Sequence, residues 1–97
     1  MPTYVSLLHY TDQGIRNIKD GPARLDAAKK ALQAAGGELK HFFLMMGQYD
    51  ILLVVEAPND ETVGKFTLAT GALGNVRTET CRAFSESEFR KLISSMK

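Results

Sequence analysis

The chain is most informative at residues 45–58, which read Met-Met-Gly-Gln-Tyr-Asp-Ile-Leu-Leu-Val-Val-Glu-Ala-Pro. An apolar run breaks at Gly47-Gln48 and resumes directly afterwards, a pattern that is typical of two strands joined by a tight turn. It predicts a hairpin with strands over residues 38–46 and 49–57. Asp50 then lies at the start of the second strand, where it is the first candidate for a functional side chain.

Before the hairpin, the sequence predicts a strand, a loop and an amphipathic helix. Residues 3–10 are rich in β-branched and aromatic residues, which favours a strand. Residues 11–21 are predicted as a loop in which Ile15 and Ile18 turn towards the body of the protein. Apolar residues then recur at spacings of three and four over residues 22–35, which predicts a helix with one buried stripe. The members of that stripe are Leu25, Ala28, Leu32 and Ala35.

After the hairpin, the sequence predicts a second main helix. Asn59 or Asp60 is expected to cap this helix, which runs to about residue 73. Gly64 or Gly71 is expected to allow close packing on another element, since glycine otherwise weakens a helix by about 1 kcal/mol relative to alanine. The buried stripe of the helix is expected to contain Val63, Phe66, Ala69 and Leu73.

A fourth strand and a last helix complete the predicted order of elements. The strand covers residues 76–84. Ser85 and Glu88 are spaced as a capping box, in which each side chain accepts a hydrogen bond from a free backbone N–H of the other residue. The helix that follows carries its apolar residues on one side, namely Phe89, Leu92, Ile93 and Met96.

The order β-α-β-β-α-β with an extra C-terminal helix predicts an α+β protein. Right-handed crossovers allow one common arrangement, in which an antiparallel sheet of strand order 4-1-3-2 carries both main helices on one face. This arrangement is the ferredoxin-like fold. The second face of the sheet is then left without a covering helix.

The pairing register of the hairpin divides its side chains between the two faces of the sheet. With a two-residue turn at Gly47-Gln48, the more continuously apolar set meets the helices: Phe42, Leu44, Met46, Tyr49, Ile51, Leu53 and Val55. The other set mixes apolar and ionisable groups: His41, Phe43, Met45, Asp50, Leu52, Val54 and Glu56. Because monomers rarely expose a large apolar patch, we expect a homodimer in which these mixed faces pack together.

Composition limits the possible classes of function. The 97 residues are expected to form one domain over residues 1–97, and so short a chain gains from covering surface by self-association. The net charge of +1 argues against a nucleic-acid partner. The apolar segments are too short to cross a membrane, and no signal peptide opens the chain, so a cytoplasmic protein is expected. Cys81 is the only cysteine, which excludes an internal disulfide, and we expect neither a metal site nor a cofactor.

Three motifs resemble the GYD-domain family of small α+β proteins. They are Tyr10-Thr-Asp-Gln-Gly-Ile-Arg, Gly47-Gln-Tyr-Asp followed by Glu56-Ala-Pro, and Gly74-Asn-Val-Arg-Thr-Glu-Thr. The resemblance covers about residues 3–84 and leaves the C-terminal helix outside. It implies a ferredoxin-like domain of the dimeric α/β-barrel type, but no particular activity, because wider relatives of that fold differ in function.

A small-ligand pocket is predicted at one end of the sheet. Strand 1 runs antiparallel to strands 3 and 4, so its end lies beside the starts of both. This brings Tyr10 close to Tyr49, Asp50 and Arg77, a set that offers a phenol, a carboxylate and a guanidinium to a ligand. Further ligand contacts are expected from the mixed face of the hairpin, through Phe43, Met45 and Leu52.

Three side chains are candidates for chemistry. Asp50 among apolar neighbours would be partly desolvated, which suits a general base, while the alternative is a structural carboxylate bonded to residues 11–21. His41 is a candidate acid or base on the mixed face. Tyr49 is a candidate hydrogen-bond donor to a substrate oxygen, with simple packing as the alternative. The facing of His9 is not predicted.

Three functions follow as hypotheses. The leading one is a homo-oligomeric module that binds a small, partly apolar ligand between sheet faces. The second is a cofactor-free monooxygenase or isomerase in which Asp50 or His41 is the base and Tyr49 the donor. The third is a purely structural assembly module. No established catalytic signature decides whether the protein is an enzyme.

Overall fold

An antiparallel sheet with helices on one face forms the body of the computed structural model, which describes residues 1–97. The strands are β1 (Thr3–Tyr10), β2 (Glu38–Leu44), β3 (Ile51–Glu56) and β4 (Val76–Ala83). The helices are α1 (Asp12–Arg16), α2 (Gly21–Ala34), α3 (Asp60–Ala72) and α4 (Glu86–Ser94). The strands lie in the order β2-β3-β1-β4, which confirms the predicted ferredoxin-like fold and its 4-1-3-2 sheet.

Local signals in the sequence explain where the helices begin and end. The Asn59 side chain caps α3 by accepting a hydrogen bond of 2.9 Å from the backbone N–H of Thr62. Ser85 and Glu88 make both hydrogen bonds of the predicted capping box at the start of α4. After α2, Gly36 has a φ of 88°, a left-handed conformation that glycine adopts without steric cost. The caps at Asn59 and Ser85 form as the sequence predicts.

Alternation along the central strands puts the core on the helix side of the sheet. β1 pairs antiparallel with both β3 and β4. Every second residue of β1 from Tyr4 to Leu8 is buried. In β3, Ile51, Leu53 and Val55 are buried, and they belong to the set that the predicted register assigned to the helices.

The core is fully packed at only one end of the sheet. There, Leu32 of α2 and Val55 of β3 are fully buried, and Val63 of α3 belongs to the same cluster. Tyr4 secures this end because its hydroxyl donates a hydrogen bond to the Asp60 carboxylate. At the opposite end, a cleft remains between the helices and the sheet.

The hairpin connection is wider than predicted. β2 ends at Leu44 and β3 begins at Ile51, so residues 45–50 lie outside the strands. The expected pairing of Met46 with Tyr49 does not form, and Met46 is 99% exposed. The prediction of a two-residue turn is therefore wrong, because the chain leaves the ladder before it reaches the glycine.

From His41 to Leu44 the register of β2 on β3 is nevertheless the predicted one. His41 lies opposite Val54, and Phe43 lies opposite Leu52. An irregularity between Leu39 and His41 inserts one extra residue into β2. This bulge reverses the alternation of side chains at the start of β2. Leu39 therefore lies opposite Val55 and packs against the core on the helix side.

The segment after β1 is helical, although the sequence predicted a loop. The Thr11 side chain caps α1 by accepting a 3.1 Å hydrogen bond from the backbone N–H of Gly14, and a 3₁₀ turn follows at Ile18–Asp20. Ile15 is 54% exposed and Ile18 is 41% exposed. The expectation that these two side chains pack on the body is wrong, because they lie at the edge of the cleft.

Close packing at a glycine occurs at Gly14, not at the predicted Gly64 or Gly71. A Cβ atom at Gly14 would lie 2.0 Å from the carbonyl oxygen of Asn75. A Cβ atom at Gly64 or Gly71 would meet no other atom within 4 Å. The backbone of α1 therefore rests directly on the turn that leads into β4.

The last helix extends away from the body of the protein. α4 makes no substantial packing contact with another element, and the molecule measures 52 × 31 × 17 Å. At its base, Arg82 lies 3.7 Å from the Glu88 carboxylate and 4.5 Å from the centre of the Phe84 ring. The predicted apolar side of α4 remains exposed, with Phe89 at 56%, Leu92 at 48%, Ile93 at 52% and Met96 at 71%.

Gly14→Ala is expected to lower the free energy of unfolding by about 3 kcal/mol, because the new methyl group can fit only if the Asn75 backbone moves. Urea unfolding followed by circular dichroism measures the loss. Gly64→Ala is the control, since it introduces the same methyl group into open space and should raise stability by up to about 1 kcal/mol. Similar effects of the two substitutions would contradict the close contact.

Candidate functional site

The face of the sheet that bears no helix has an apolar centre. Val5 and Leu7 of β1 pair directly with Val54 and Leu52 of β3, and all four are partly exposed. Phe43 of β2 lies beside them, opposite Leu52, and is 54% exposed. We call this side of the sheet the open face, and these five residues its apolar centre.

Ionisable side chains surround the apolar centre of the open face. On β4, Arg77 and Glu79 are exposed and pair with His9 and Leu7 of β1. On β2, the His41 ring stacks against that of Phe43 with a centroid distance of 6.0 Å. The face thus combines an apolar middle with a charged margin, as the sequence predicted for the hairpin strands. His9, whose facing the sequence left open, belongs to this side of the sheet.

Tyr49 also reaches the open face, where it meets two residues of other strands. Its ring centroid lies 4.7 Å from that of His9, and its hydroxyl donates a 2.6 Å hydrogen bond to Glu79 Oε2. This hydrogen bond, reinforced by the negative charge of Glu79, raises the pKa of the Tyr49 hydroxyl above its ordinary value of 10.0. A phenol, an imidazole and a carboxylate therefore lie together at one end of the open face.

Asp50 lines a space on the opposite, helix-covered side of the sheet. Its Oδ2 accepts a 2.9 Å hydrogen bond from the backbone N–H of Tyr10, and its own N–H donates a 2.9 Å bond to the Leu8 carbonyl. The carboxylate thus adds one bond to the ladder between β1 and β3. The predicted facings of Tyr49 and Asp50 are both wrong, because the wide turn frees these residues from the alternation of a strand.

A cleft of about 890 Å³ lies between the helices and the helix-covered side of the sheet. Leu8 and Ile51 contribute to its floor, while α2 lines it with the small side chains of Ala28 and Ala31. Most of the lining is hydrophobic, and Asp50 is one of the few charged residues in it. We call this space the helix-side cleft.

Apolar residues that the sequence assigns to the core remain exposed around the helix-side cleft. In α3, Val63 is buried and Phe66 is partly buried, but Ala69 is exposed and Leu73 is 67% exposed. Leu44 of β2 is 70% exposed, although it was expected to be covered by a helix. The predicted stripes therefore face the correct side, but only part of each stripe is covered.

The structure divides the predicted site residues between the two sides of the sheet. Tyr10 and Asp50 line the helix-side cleft. Phe43, Leu52, His41, Tyr49 and Arg77 belong to the open face, and Met45 lies in the turn, where its N–H donates to the Asp50 carbonyl. No hydrogen bond joins any two of the proposed catalytic residues, which are Asp50, His41 and Tyr49. No three His, Cys, Asp or Glu side chains are close enough together to hold a metal ion.

Comparison with known proteins gives a family and a relative. The family model described as GYD domain matches residues 4–93 of this chain. A protein of Thermus thermophilus, named glutamine synthetase and cystathionine beta-lyase binding protein, is 31% identical over 84 residues. That alignment covers 86% of this chain and 88% of the relative.

A solved structure has a similar fold. The crystal structure of MtbAldR matches with a TM-score of 0.68 and 13% sequence identity. The match covers 88% of this chain and 52% of that one, so this chain spans about half the length of the MtbAldR chain. At this identity the similarity concerns the fold alone.

No helix of the protein combines the length and the hydropathy that crossing a bilayer needs.

Glu79→Gln is expected to lower the pKa of Tyr49 towards 10.0, because the substitution removes the negative charge that favours the protonated phenol. A raised pKa means that the Tyr49–Glu79 bond contributes stability below pH 10.0 and that this contribution is lost as the pH rises through the raised value. NMR titration of tyrosine labelled at Cζ measures the change. As a control, Asp60→Asn should lower the pKa of Tyr4, which its hydrogen bond to Asp60 raises, and leave Tyr49 unaffected. An unchanged Tyr49 titration in Glu79→Gln would contradict the pairing.

Proposed function

We propose that this chain, which belongs to the GYD domain family, is a cytoplasmic homodimer that acts as a binding module for other proteins. The observation that carries the proposal is the open face. Its apolar centre lies on the two middle strands of the sheet, and no helix covers it. Burial of such a surface is favourable in proportion to the apolar area removed from water.

A second copy of the chain is the occupant of the open face in this proposal. In a two-fold dimer each face meets its own copy, so Val5, Leu7, Leu52 and Val54 of one subunit would pack on the same residues of the other. The separation of two packed sheets, about 10 Å, is filled by side chains of this size. The exposed Arg77 and Glu79 near the margin carry opposite charges, which allows complementary contacts across a two-fold axis.

The same dimer supports the sheet-face ligand site as a second proposal. A small, partly apolar ligand between the sheets would contact Phe43, Leu52 and His41, and the cluster of Tyr49, His9 and Glu79 would supply the polar groups. In this arrangement Tyr49 and Glu79 supply the polar contacts on this face that the sequence analysis expected from Asp50. The enzyme hypothesis has less support, because Asp50 lines the helix-side cleft whereas Tyr49 bonds to Glu79 at the open face.

The relative suggests the class of protein partner. Its name states that it binds glutamine synthetase and cystathionine beta-lyase, and we propose that this chain likewise binds an enzyme of that kind. The exposed apolar side of α4 supports the proposal, since an amphipathic helix commonly docks its apolar side into a groove of a partner. Self-association then uses one surface of the protein, and partner binding uses another.

Leu52→Glu is expected to weaken the homodimer by at least about 100-fold, because it buries two unpaired carboxylates where the open faces meet. Sedimentation equilibrium over a range of protein concentrations measures the dissociation constant. Leu68→Glu is the matched control, since the same substitution falls on α3 at a residue that is 76% exposed. The proposal fails if the unmodified chain sediments as a monomer, or if Leu52→Glu dimerises as well as Leu68→Glu.

Leu92→Glu is expected to reduce binding to purified glutamine synthetase from the organism that encodes this chain. The expected loss is at least about tenfold, since the substitution places a charge in the apolar side of α4. Biolayer interferometry measures the affinity, and sedimentation checks that the dimer is unchanged. Ser94→Glu adds the same charge on the polar side of α4 and should bind normally. No binding by the unmodified chain would argue against this partner class, and loss of the dimer in Leu92→Glu would assign α4 to self-association.

A further inference from the structure

The helix-side cleft has the size and the lining of a small-molecule site. Its volume of about 890 Å³ falls within the range of roughly 300–1,000 Å³ that such sites occupy. It lies between the sheet and the helices, on the side away from the open face. Occupation of the cleft is therefore compatible with a dimer that uses the open face.

Small residues on α2 explain why the cleft is not filled by the protein itself. Further along α2, Leu32 is fully buried, whereas the residues that line the cleft include Ala27, Ala28 and Ala31. An alanine extends too little to reach the floor of the cleft, so the apolar side chains of Leu44 and Leu73 stay exposed. These apolar side chains would be covered only when another apolar group enters the cleft.

The polar groups of the lining near the end of β1 determine which polar group a bound molecule must carry. Asp50 Oδ2 is occupied by the Tyr10 N–H, but Oδ1 takes part in no hydrogen bond or ion pair. The only cation in the lining, Arg24, already donates to the carbonyl of Asn17 at 2.8 Å and to that of Gly14 at 3.4 Å. The unbonded Oδ1 of Asp50 therefore offers a charged acceptor to a bound molecule, in a lining that also includes Tyr10 and Asn75.

We infer that the helix-side cleft binds an apolar molecule whose polar end donates a hydrogen bond, as an amine or an alcohol does, to the Asp50 carboxylate. A molecule with a carboxylate head is disfavoured, because Asp50 would repel it and because Arg24 Nη1 and Nη2 are held by the carbonyls of Asn17 and Gly14.

Isothermal titration calorimetry with octylamine, 1-octanol and octanoate tests this ligand chemistry on the unmodified chain. We expect octylamine and octanol to bind once per chain, and octanoate to bind at least about tenfold more weakly than octylamine. Asp50→Asn keeps an oxygen for the Tyr10 N–H but removes the charge, so it should reduce the preference for octylamine over octanoate by about tenfold. Equal or tighter binding of octanoate to the unmodified chain would overturn the inference.

A second pair of variants locates the site without altering Asp50. Ala28→Leu extends a lining side chain into the cleft and should weaken the binding of both octylamine and octanol by at least about tenfold. Ala23→Leu makes the same change on a part of α2 that is exposed and outside the lining, and should leave binding unchanged. Unchanged binding in Ala28→Leu would show that the molecules bind elsewhere and would overturn the assignment to the cleft.

Discussion

The central position of β1 is the constraint on which the rest of the structure depends. This strand pairs along its length with β3 on one side and β4 on the other, so two ladders fix the facing of each of its residues. Tyr4 and Leu8 must point to the helices, and Val5 and Leu7 must then point away. A slip of one residue in either ladder would exchange the two sets, so the register that builds the core also builds the open face.

The two ends of the sheet are stabilised differently, and this difference separates structural from functional regions. At one end, the buried Leu32 and Val55 and the hydrogen bond between Tyr4 and Asp60 close the core. At the other end, the alanines of α2 leave the helix-side cleft, and the Asp50 carboxylate completes the ladder where no backbone partner follows. The end that packs least is therefore the end that presents polar groups beside an apolar space.

Much of the fold follows from local patterns in the sequence, whereas much of the candidate site does not. The order of the strands, the cap at Asn59 and the capping box at Ser85 depend on neighbouring residues, and they form as predicted, whereas β2 and β3 are each shorter than predicted. Tyr49 and Asp50 lie in a turn, where alternation no longer decides the direction of a side chain, and the partner of Tyr49 is a residue 30 positions away. The contact of Gly14 with Asn75 and the width of the helix-side cleft likewise depend on how distant segments meet, which a single sequence does not encode locally.

The assignment of the open face to a contact between two copies is tested most directly by isotope-filtered NMR on a mixture of labelled and unlabelled chains. Nuclear Overhauser effects that pass only between subunits are predicted among the methyl groups of Val5, Leu7, Leu52 and Val54. Their absence at concentrations where the chain is dimeric, or intermolecular effects confined to α4, would contradict the assignment.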